Sequence, residues 1–287
     1  MKRIWIFDLE VFPQIFCGTF LDKDSKEKRV FIISNTKDER QELFNFLNTE
    51  VQGLVGFNNL NYDSQIIEYL YRHPQATCLD LRQYSDVIIS EQENRRPDVP
   101  EWKLKIPHLD LFKALSLSSS AKRTSLKWCE YMLDLDNIED MPSQGDGNNW
   151  EEQVLSYNLN DVIATKKLYE KYHYEIDLRK TLTQREDISL INCTEPDLAK
   201  RLFGKYLSKA MNIPLNDLKA MSTNRDIVNI KDIIFPYIQF STDKFKLVKE
   251  SFEKLQLREN EKAEYTINHY GIDIHFGLGG LKYVVSL

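Results

Sequence analysis

The 287-residue sequence has no long hydrophobic run and is poor in glycine and proline. No stretch approaches the roughly 20 uninterrupted apolar residues of a membrane-spanning helix, and the opening segment MKRIWIFDLE lacks the apolar core of a signal peptide. With Gly 10, Pro 9 and 42% hydrophobic residues, the composition excludes disordered and collagen-like classes. We therefore expect a soluble, cytoplasmic protein that has no membrane partner.

Cysteine and histidine are too sparse and too scattered for a zinc site. The four cysteines form no Cys-x-x-Cys pair, and none of the five histidines has a partner at ligand spacing. We expect all four cysteines to be buried, reduced thiols.

Basic residues are fewer than acidic residues in this chain. The chain has 38 lysines and arginines against 44 aspartates and glutamates, which gives a formal net charge of −6. Such a chain cannot hold nucleic acid by its overall charge, so a nucleic-acid partner would need a local patch or bound cations. The charge balance disfavours a protein that coats nucleic acid, but it is compatible with a metal-dependent nuclease.

The order of predicted elements is typical of an α/β domain followed by a helix-rich extension. Apolar alternation predicts a three-stranded meander and then two more strands, at 3–7, 14–21, 28–33, 53–56 and 106–111. Helical spacing predicts helices after Thr36 and after Asp63, and at 125–133, 150–174, 195–211 and 242–255. We expect one domain at 1–177 and a second region at 178–287, which ends in a short Gly-rich β segment.

The first acidic pair lies at the end of the first strand. Asp8 and Glu10 are two residues apart, and the period of a strand places both side chains on one face of the sheet. Two adjacent carboxylates repel each other unless a cation lies between them. The pair carries little weight alone, because an exposed strand end often has such a triplet by chance.

A second polar segment leads from the fourth strand into a helix. Asn58 and Asn59 offer amide groups, Tyr62 an aromatic face, and Asp63 a carboxylate at the start of the helix. A plainer interpretation makes Asp63 a helix N-cap and the asparagines turn residues. That interpretation explains Asp63 but not the whole cluster.

A third pair lies in the long helix at 150–174. The i, i+4 spacing of Tyr157 and Asp161 places the phenol and the carboxylate on one helix face. Alone, this pair would be a surface hydrogen bond, but the three segments can converge at one edge of a sheet. Four carboxylates without cysteine or histidine suit Mg²⁺ or Mn²⁺, and two such ions can clamp both oxygens of a phosphodiester displacement.

These segments resemble the motifs of the proofreading 3′-5′ exonuclease domains of phage and bacterial DNA polymerases, the tyrosine branch of the four-carboxylate (DEDDy) exonucleases. The histidine branch would need a histidine at the position of Ser156. Pro107-His-Leu-Asp-Leu-Phe112 and Thr124-Ser-Leu-Lys127 are similar to the family between its second and third motifs. The three segments that carry the resemblance are Phe7-Asp-Leu-Glu10, Asn58-Asn-Leu-Asn-Tyr-Asp63 and Tyr157-Asn-Leu-Asn-Asp161.

The resemblance implies an α/β, RNase H-like fold, in which helices flank a mixed sheet. It also implies two Mg²⁺ or Mn²⁺ ions, with Tyr157 orienting the attacking water and Asp63 holding the second ion partly through water. Direct metal ligands would be Asp8, Glu10 and Asp161. Contacts to the terminal nucleotides would come from Phe57, from Asn58 or Asn59, and from Tyr62, although core packing is an equal alternative for Phe57 and Tyr62.

The tail resembles the Gly-Gly connector between the exonuclease and polymerase modules of phage-type family B DNA polymerases. The similar segment is Ile274-His-Phe-Gly-Leu-Gly-Gly-Leu281, and Lys282 follows where those chains often have histidine. The sequence has no polymerase palm motif, and the segment 133–138 lacks the lysine of protein-primed polymerases.

We therefore expect the proofreading part of a phage-type polymerase, from the cytoplasm of a bacterial or phage-infected cell. It would act on single-stranded or frayed DNA 3′ ends and have a separate polymerase module as partner. The motifs leave two alternatives open, an exoribonuclease acting on RNA 3′ ends and a non-catalytic module that binds nucleic acid or a polymerase subunit.

Overall fold

The computed structural model describes residues 1–90, 97–118, 124–142, 149–221, 225–258, 261–277 and 280–284, the last as backbone only. The chain divides into two compact units, 1–207 and 208–287. Within the described residues, no helix is both long enough and apolar enough to cross a membrane.

A five-stranded mixed sheet is the centre of the first unit. The strand order is β3-β2-β1-β4-β5, in which β2 pairs antiparallel with both β1 and β3, whereas β4 pairs parallel with both β1 and β5. The predicted meander and the α/β class are therefore confirmed. The strands are β1 Arg3–Val11, β2 Ile15–Asp22, β3 Lys28–Ser34, β4 Val51–Gly56 and β5 His108–Asp110.

Helices follow and connect these strands. They are α1 Arg40–Thr49, α2 Asp63–Arg72, α3 Cys78–Ser90, α4 Leu111–Ala114, α5 Leu126–Met132, α6 Trp150–Lys171, α7 His173–Glu186 and α8 Glu195–Met211. Helix α3 was not predicted. Its buried positions include Cys78 and Ser85, so the apolar period that marks a helix is weak there. The predicted helix 150–174 ends at Lys171, and α7 follows directly.

The two faces of β1 contribute to different cores. Trp5, Phe7 and Leu9 pack into a core with residues of α1, α2 and α3. Ile6 lies on the opposite face, in a second core that contains Val162 of α6. Side chains alternate along a strand, so Asp8 and Glu10 share the face of Ile6 and point to the side where α6 packs.

The parallel pairing between β1 and β4 is short. It reaches only Ile6 and Val55, and β1 continues alone on this side to Val11. Asp8 and Glu10 therefore lie beyond the end of the parallel pair, where the loop after β4 can reach them. All four cysteines are free and buried, as predicted.

The second unit contains α9, α10 and two small antiparallel sheets. The predicted helix at 242–255 is present as α10. The strands predicted on either side of a Gly-rich turn are present as β9 and β10, and residues 278 and 279 of that turn lie outside the described residues. An additional turn at Tyr270 and Gly271, both with positive φ, joins β8 to β9. The elements are α9 Leu215–Ala220, β6 Ile227–Asn229, α10 Asp243–Glu253, β7 Gln256–Arg258, β8 Glu264–His269, β9 Ile272–Gly277 and β10 Gly280–Val284.

Candidate metal centre

Three carboxylates converge at the end of β1. Asp8 and Glu10 come from the strand and Asp161 from α6, and each offers one oxygen within 4.8 Å of the others. Glu10 is buried, while Asp8 and Asp161 are half-buried. The alternation of β1 directs the first two side chains towards α6, so one strand and one helix suffice to assemble this group.

Asp63 lies beside this group and is itself buried. It is the first residue of α2, and its carboxylate accepts a hydrogen bond from the backbone of Leu9. This approach is possible because β4 has already separated from β1 at that point. Tyr62 occupies the N-cap position, and no side chain caps the helix, so Asp63 is not the simple N-cap of the plainer interpretation. Its Oδ1 atom has no hydrogen-bond partner among the described residues.

Simultaneous ionisation of all four carboxyl groups is electrostatically unfavourable. Burial, together with repulsion from the neighbouring carboxylates, raises the pKa of Asp8 and of Glu10 well above the usual range. Burial likewise raises the pKa of Asp161 to about 7 and that of Asp63 to about 8. In the described part of the chain, no lysine or arginine forms an ion pair with any of these carboxylates.

A divalent cation would remove this repulsion. The donor set consists of carboxylate oxygens alone, which suits hard ions such as Mg²⁺ and Mn²⁺ better than zinc. The unpartnered Oδ1 of Asp63 is a buried acceptor with the same need for a positive partner. The residues present therefore fit the predicted type of ion.

Tyr157 lies one helical turn before Asp161, and the two side chains share a hydrogen bond. Burial and then the charge of Asp161 raise the pKa of the phenol well above its usual range. The phenol therefore keeps its proton at neutral pH and acts as a hydrogen-bond donor, not as a base.

The loop after β4 is held by Asp110, which the sequence analysis did not select as a site residue. The fully buried carboxylate accepts the backbone N–H groups of Asn58 at 3.0 Å, Leu60 at 3.3 Å and Phe112 at 3.0 Å. Asn58 has a φ of 57°, a conformation that this carboxylate stabilises. The loop is thus fixed by a residue about 50 positions away in the sequence.

The two asparagines of this loop have different environments. The side chain of Asn59 is fully buried, and its Nδ2 donates to Nδ1 of His108 at 3.0 Å. Burial lowers the pKa of His108 to about 3, so its ring is neutral and can accept this hydrogen bond. Asn58, in contrast, lines the cavity whose wall contains Asp8 and Asp161. Of the two residues that the motif left open, only Asn58 is part of this wall.

The cavity has a volume of about 500 Å³ and contains Asp8 and Asp161 in its wall. Phe57 lines the cavity and also packs on Phe112, with 5.2 Å between ring centroids, so its position is compatible with both predicted interpretations. Tyr62 packs against the first core instead, and its hydroxyl bonds Ser85 Oγ at 2.7 Å. The remaining described wall residues are Asn58, Thr124, Ser125 and Leu126.

Three polar residues of the site were missed by the sequence analysis. Asp110 and Ser125 fall within the segments noted for their resemblance to the exonuclease family, but no spacing rule assigned them a contact. Asn158 lies directly after Tyr157, and its amide donates to Asp8 at 2.8 Å. The only available signal for Asn158 was its position within the third motif.

Comparisons of the chain with protein-family models, with curated protein sequences and with solved structures returned no match.

Proposed function

We propose that the protein is a metal-dependent 3′-5′ exonuclease that hydrolyses the 3′ ends of single-stranded or frayed DNA. One observation carries the proposal: Asp8, Glu10 and Asp161 offer oxygens within 4.8 Å of one another, and two of them lie in the wall of a 500 Å³ cavity. Asp63 lies beside them with an unpartnered oxygen. Such a group is electrostatically costly without a cation, and phosphodiester hydrolysis is the reaction that paired hard cations support best.

The fold supports an RNase H-like assignment. Three antiparallel strands are followed by two parallel strands, and helices cover both faces of the sheet. The acidic residues lie at the end of β1, at the start of α2 and in α6, which is the order of the three exonuclease motifs.

In the proposed reaction, water attacks the phosphorus of the terminal phosphodiester, the bond to the 3′ oxygen breaks, and a nucleoside 5′-monophosphate leaves. Asp8, Glu10 and Asp161 would hold the ions directly, and Asp63 would hold the second ion partly through water. When bound, the ions supply an activated water and neutralise the charge that develops on the attacking and leaving oxygens. Tyr157, as a protonated phenol, would orient the water by a hydrogen bond.

The cavity wall supports a strand end as substrate. The ring of Phe57 offers a stacking face for a terminal base. The amide nitrogen of Asn58 offers a donor, while its Oδ1 accepts from Nδ2 of Asn61 at 2.9 Å. A preference for DNA rests on the tail, where Gly277 of β9 pairs with Gly280 of β10 in the segment that resembles a polymerase connector. A separate polymerase module is the partner that this tail implies.

The test is a time course on single-stranded DNA labelled at its 5′ end, with Mg²⁺ or Mn²⁺ and with EDTA as control. We expect a ladder that shortens from the 3′ end, that EDTA abolishes and that Asp8→Ala eliminates. Glu152→Ala is the matched control, because it removes an exposed carboxylate of α6 outside the cluster. A matched RNA strand cut faster than DNA would redirect the proposal to an exoribonuclease. Absence of cleavage on both strands would overturn it.

A further inference from the structure

Asn158 is the one residue that joins α6 to a carboxylate of β1 by a side-chain hydrogen bond among the described residues. Its side chain is completely buried, and Nδ2 donates to Oδ2 of Asp8 at 2.8 Å. The two residues are 150 positions apart in the sequence. A neutral donor here can orient the carboxylate without neutralising its charge.

The position of Asn158 on the helix explains how it reaches Asp8. Asn158 and Asp161 are three residues apart, so they lie on neighbouring parts of one helix face. That face packs on β1 and β2. The same turn of α6 therefore delivers a carboxylate to the candidate metal centre and an amide to Asp8.

The other end of the Asn158 amide has no partner. Oδ1 is buried and makes no hydrogen bond within the described structure, which is unfavourable for stability. Asn59 has the same arrangement, with Nδ2 bonded to His108 and Oδ1 unpartnered, so the argument for Asn158 rests on its bonding partner, the Asp8 carboxylate. Asn160, two residues later, is also buried and donates to Oε1 of Glu130 at 3.1 Å, away from the Asp8 carboxylate.

We propose that Asn158 is a positioning residue for the candidate metal centre. By holding Oδ2 of Asp8, it fixes the rotation of the carboxylate and leaves Oδ1 to bind the cation. This inference rests on the proposed function, because it requires that Asp8 be a metal ligand. Groups that orient metal ligands in this way change metal affinity by about 10-fold to 100-fold when they are removed.

The test is a direct Mn²⁺ titration of the full chain, followed by electron paramagnetic resonance and calorimetry, without substrate. We expect Asn158→Ala and Asn158→Leu to weaken Mn²⁺ binding by about tenfold or more. Asn158→Leu keeps the branched shape and the number of heavy atoms and removes the unpartnered oxygen, so it should fold even if the alanine variant does not. Asn160→Ala is the matched control, since it also loses a buried amide of α6 and should bind Mn²⁺ like the wild type. Thermal unfolding of each metal-free variant verifies that it is folded.

The outcomes separate this inference from the proposed function. Wild-type affinity in both Asn158 variants would overturn the positioning role and leave the metal centre intact. An equal loss in Asn160→Ala would also overturn it, because the effect would then be general damage to α6. A wild-type chain that binds no Mn²⁺ would overturn the metal centre and the positioning role together.

Discussion

Buried carboxylates occur in two neighbouring regions of the first unit, and their surroundings differ. Asp110, at the end of β5, accepts three backbone N–H groups from the loop after β4 and the start of α4. The acidic cluster at the end of β1 receives few hydrogen bonds, and one of its buried oxygens, Oδ1 of Asp63, has none in the described structure. Both regions lie at the carboxyl ends of parallel strands, so position in the fold does not distinguish them.

The difference lies in what satisfies the negative charge. The N–H groups around Asp110 are fixed parts of the fold. The oxygens of this carboxylate therefore have hydrogen-bond donors in the folded chain, and the carboxylate holds a loop in place. The cluster carboxylates mainly face one another, and their negative charge is compensated only when they are protonated or when a cation is bound. Under the proposed function, the poorly satisfied carboxylates of the cluster would bind a ligand, whereas the hydrogen-bonded carboxylate of Asp110 stabilises a loop.

The largest expected effect is the loss of hydrolysis when a carboxylate of the acidic cluster is replaced. Asp8→Asn keeps the shape of the side chain but removes one charge, so hydrolysis should fall about a thousandfold or more. The metal-free variant should be more stable than the wild type by about 1 kcal/mol, because repulsion in the cluster is relieved. Initial rates on the labelled strand and urea denaturation in EDTA measure the two effects. Wild-type rates in this variant would show that Asp8 is not a functional ligand.

The opposite behaviour is expected at Asp110. Asp110→Ala leaves buried N–H groups without acceptors, so it should lower the free energy of unfolding by about 3 kcal/mol. Urea denaturation measures the loss. Asp24→Ala provides the control, because Asp24 is highly exposed and its removal should cost less than about 0.5 kcal/mol. A loss below about 1 kcal/mol at Asp110 would remove the distinction between the two regions.

The pH dependence of stability should sharpen the comparison. A carboxyl with a raised pKa binds more protons in the folded state than in the unfolded state, so its contribution to stability is lost as pH rises through the folded pKa. Asp110 has a pKa of about 6, so its contribution to stability is lost as the pH rises to about 6. Asp161 at about 7 and Asp63 at about 8 extend the loss from pH 6 to pH 8.

The metal-free protein should therefore lose stability, on the order of 2 kcal/mol, between pH 6 and pH 8. Mn²⁺ should suppress this loss, since a cation favours the charged carboxylates. Chemical denaturation across this range, with EDTA or with Mn²⁺, measures both curves. Identical curves in the two conditions would contradict the cluster assignment.

The smallest effect is expected at Tyr157. Tyr157→Phe retains a packed ring and removes one hydrogen bond, so the rate of hydrolysis should fall about tenfold. Mn²⁺ affinity should stay at the wild-type value, unlike that of the Asn158 variants. Single-turnover rates with saturating Mn²⁺ make this measurement. A loss as large as that of Asp8→Asn would give the phenol a larger part in the reaction than orientation of water.

Local sequence patterns anticipated most of the first unit. Apolar alternation located the meander and β4, and helical spacing located α1, α2 and α6, because these patterns depend only on near neighbours in the chain. Helix α3 was not predicted, because Cys78 and Ser85 occupy two of its buried positions and weaken the apolar period. The turn at Tyr270 was not predicted, because tyrosine seldom adopts a positive φ.

The spacing of the acidic residues placed Asp8 and Glu10 on one strand face and Tyr157 and Asp161 on one helix face. Those inferences needed only the periods of a strand and a helix. The proximity of these two faces to each other, and of Asp63 to both, depends on where β1 and β4 separate. No local pattern encodes that point.

Long-range hydrogen bonds give different environments to the two asparagines that the motifs left open. Asp110 holds the backbone of Asn58 and His108 holds the side chain of Asn59, and both lie about 50 residues further along the chain. The contact of Asn158 with Asp8 spans 150 residues. Composition and periodicity thus specified the class of fold and the chemical type of the candidate site, because both arise from local sequence. The assignment of individual side chains to ligand, core or support required the folded chain, since it depends on which distant groups satisfy each buried polar atom.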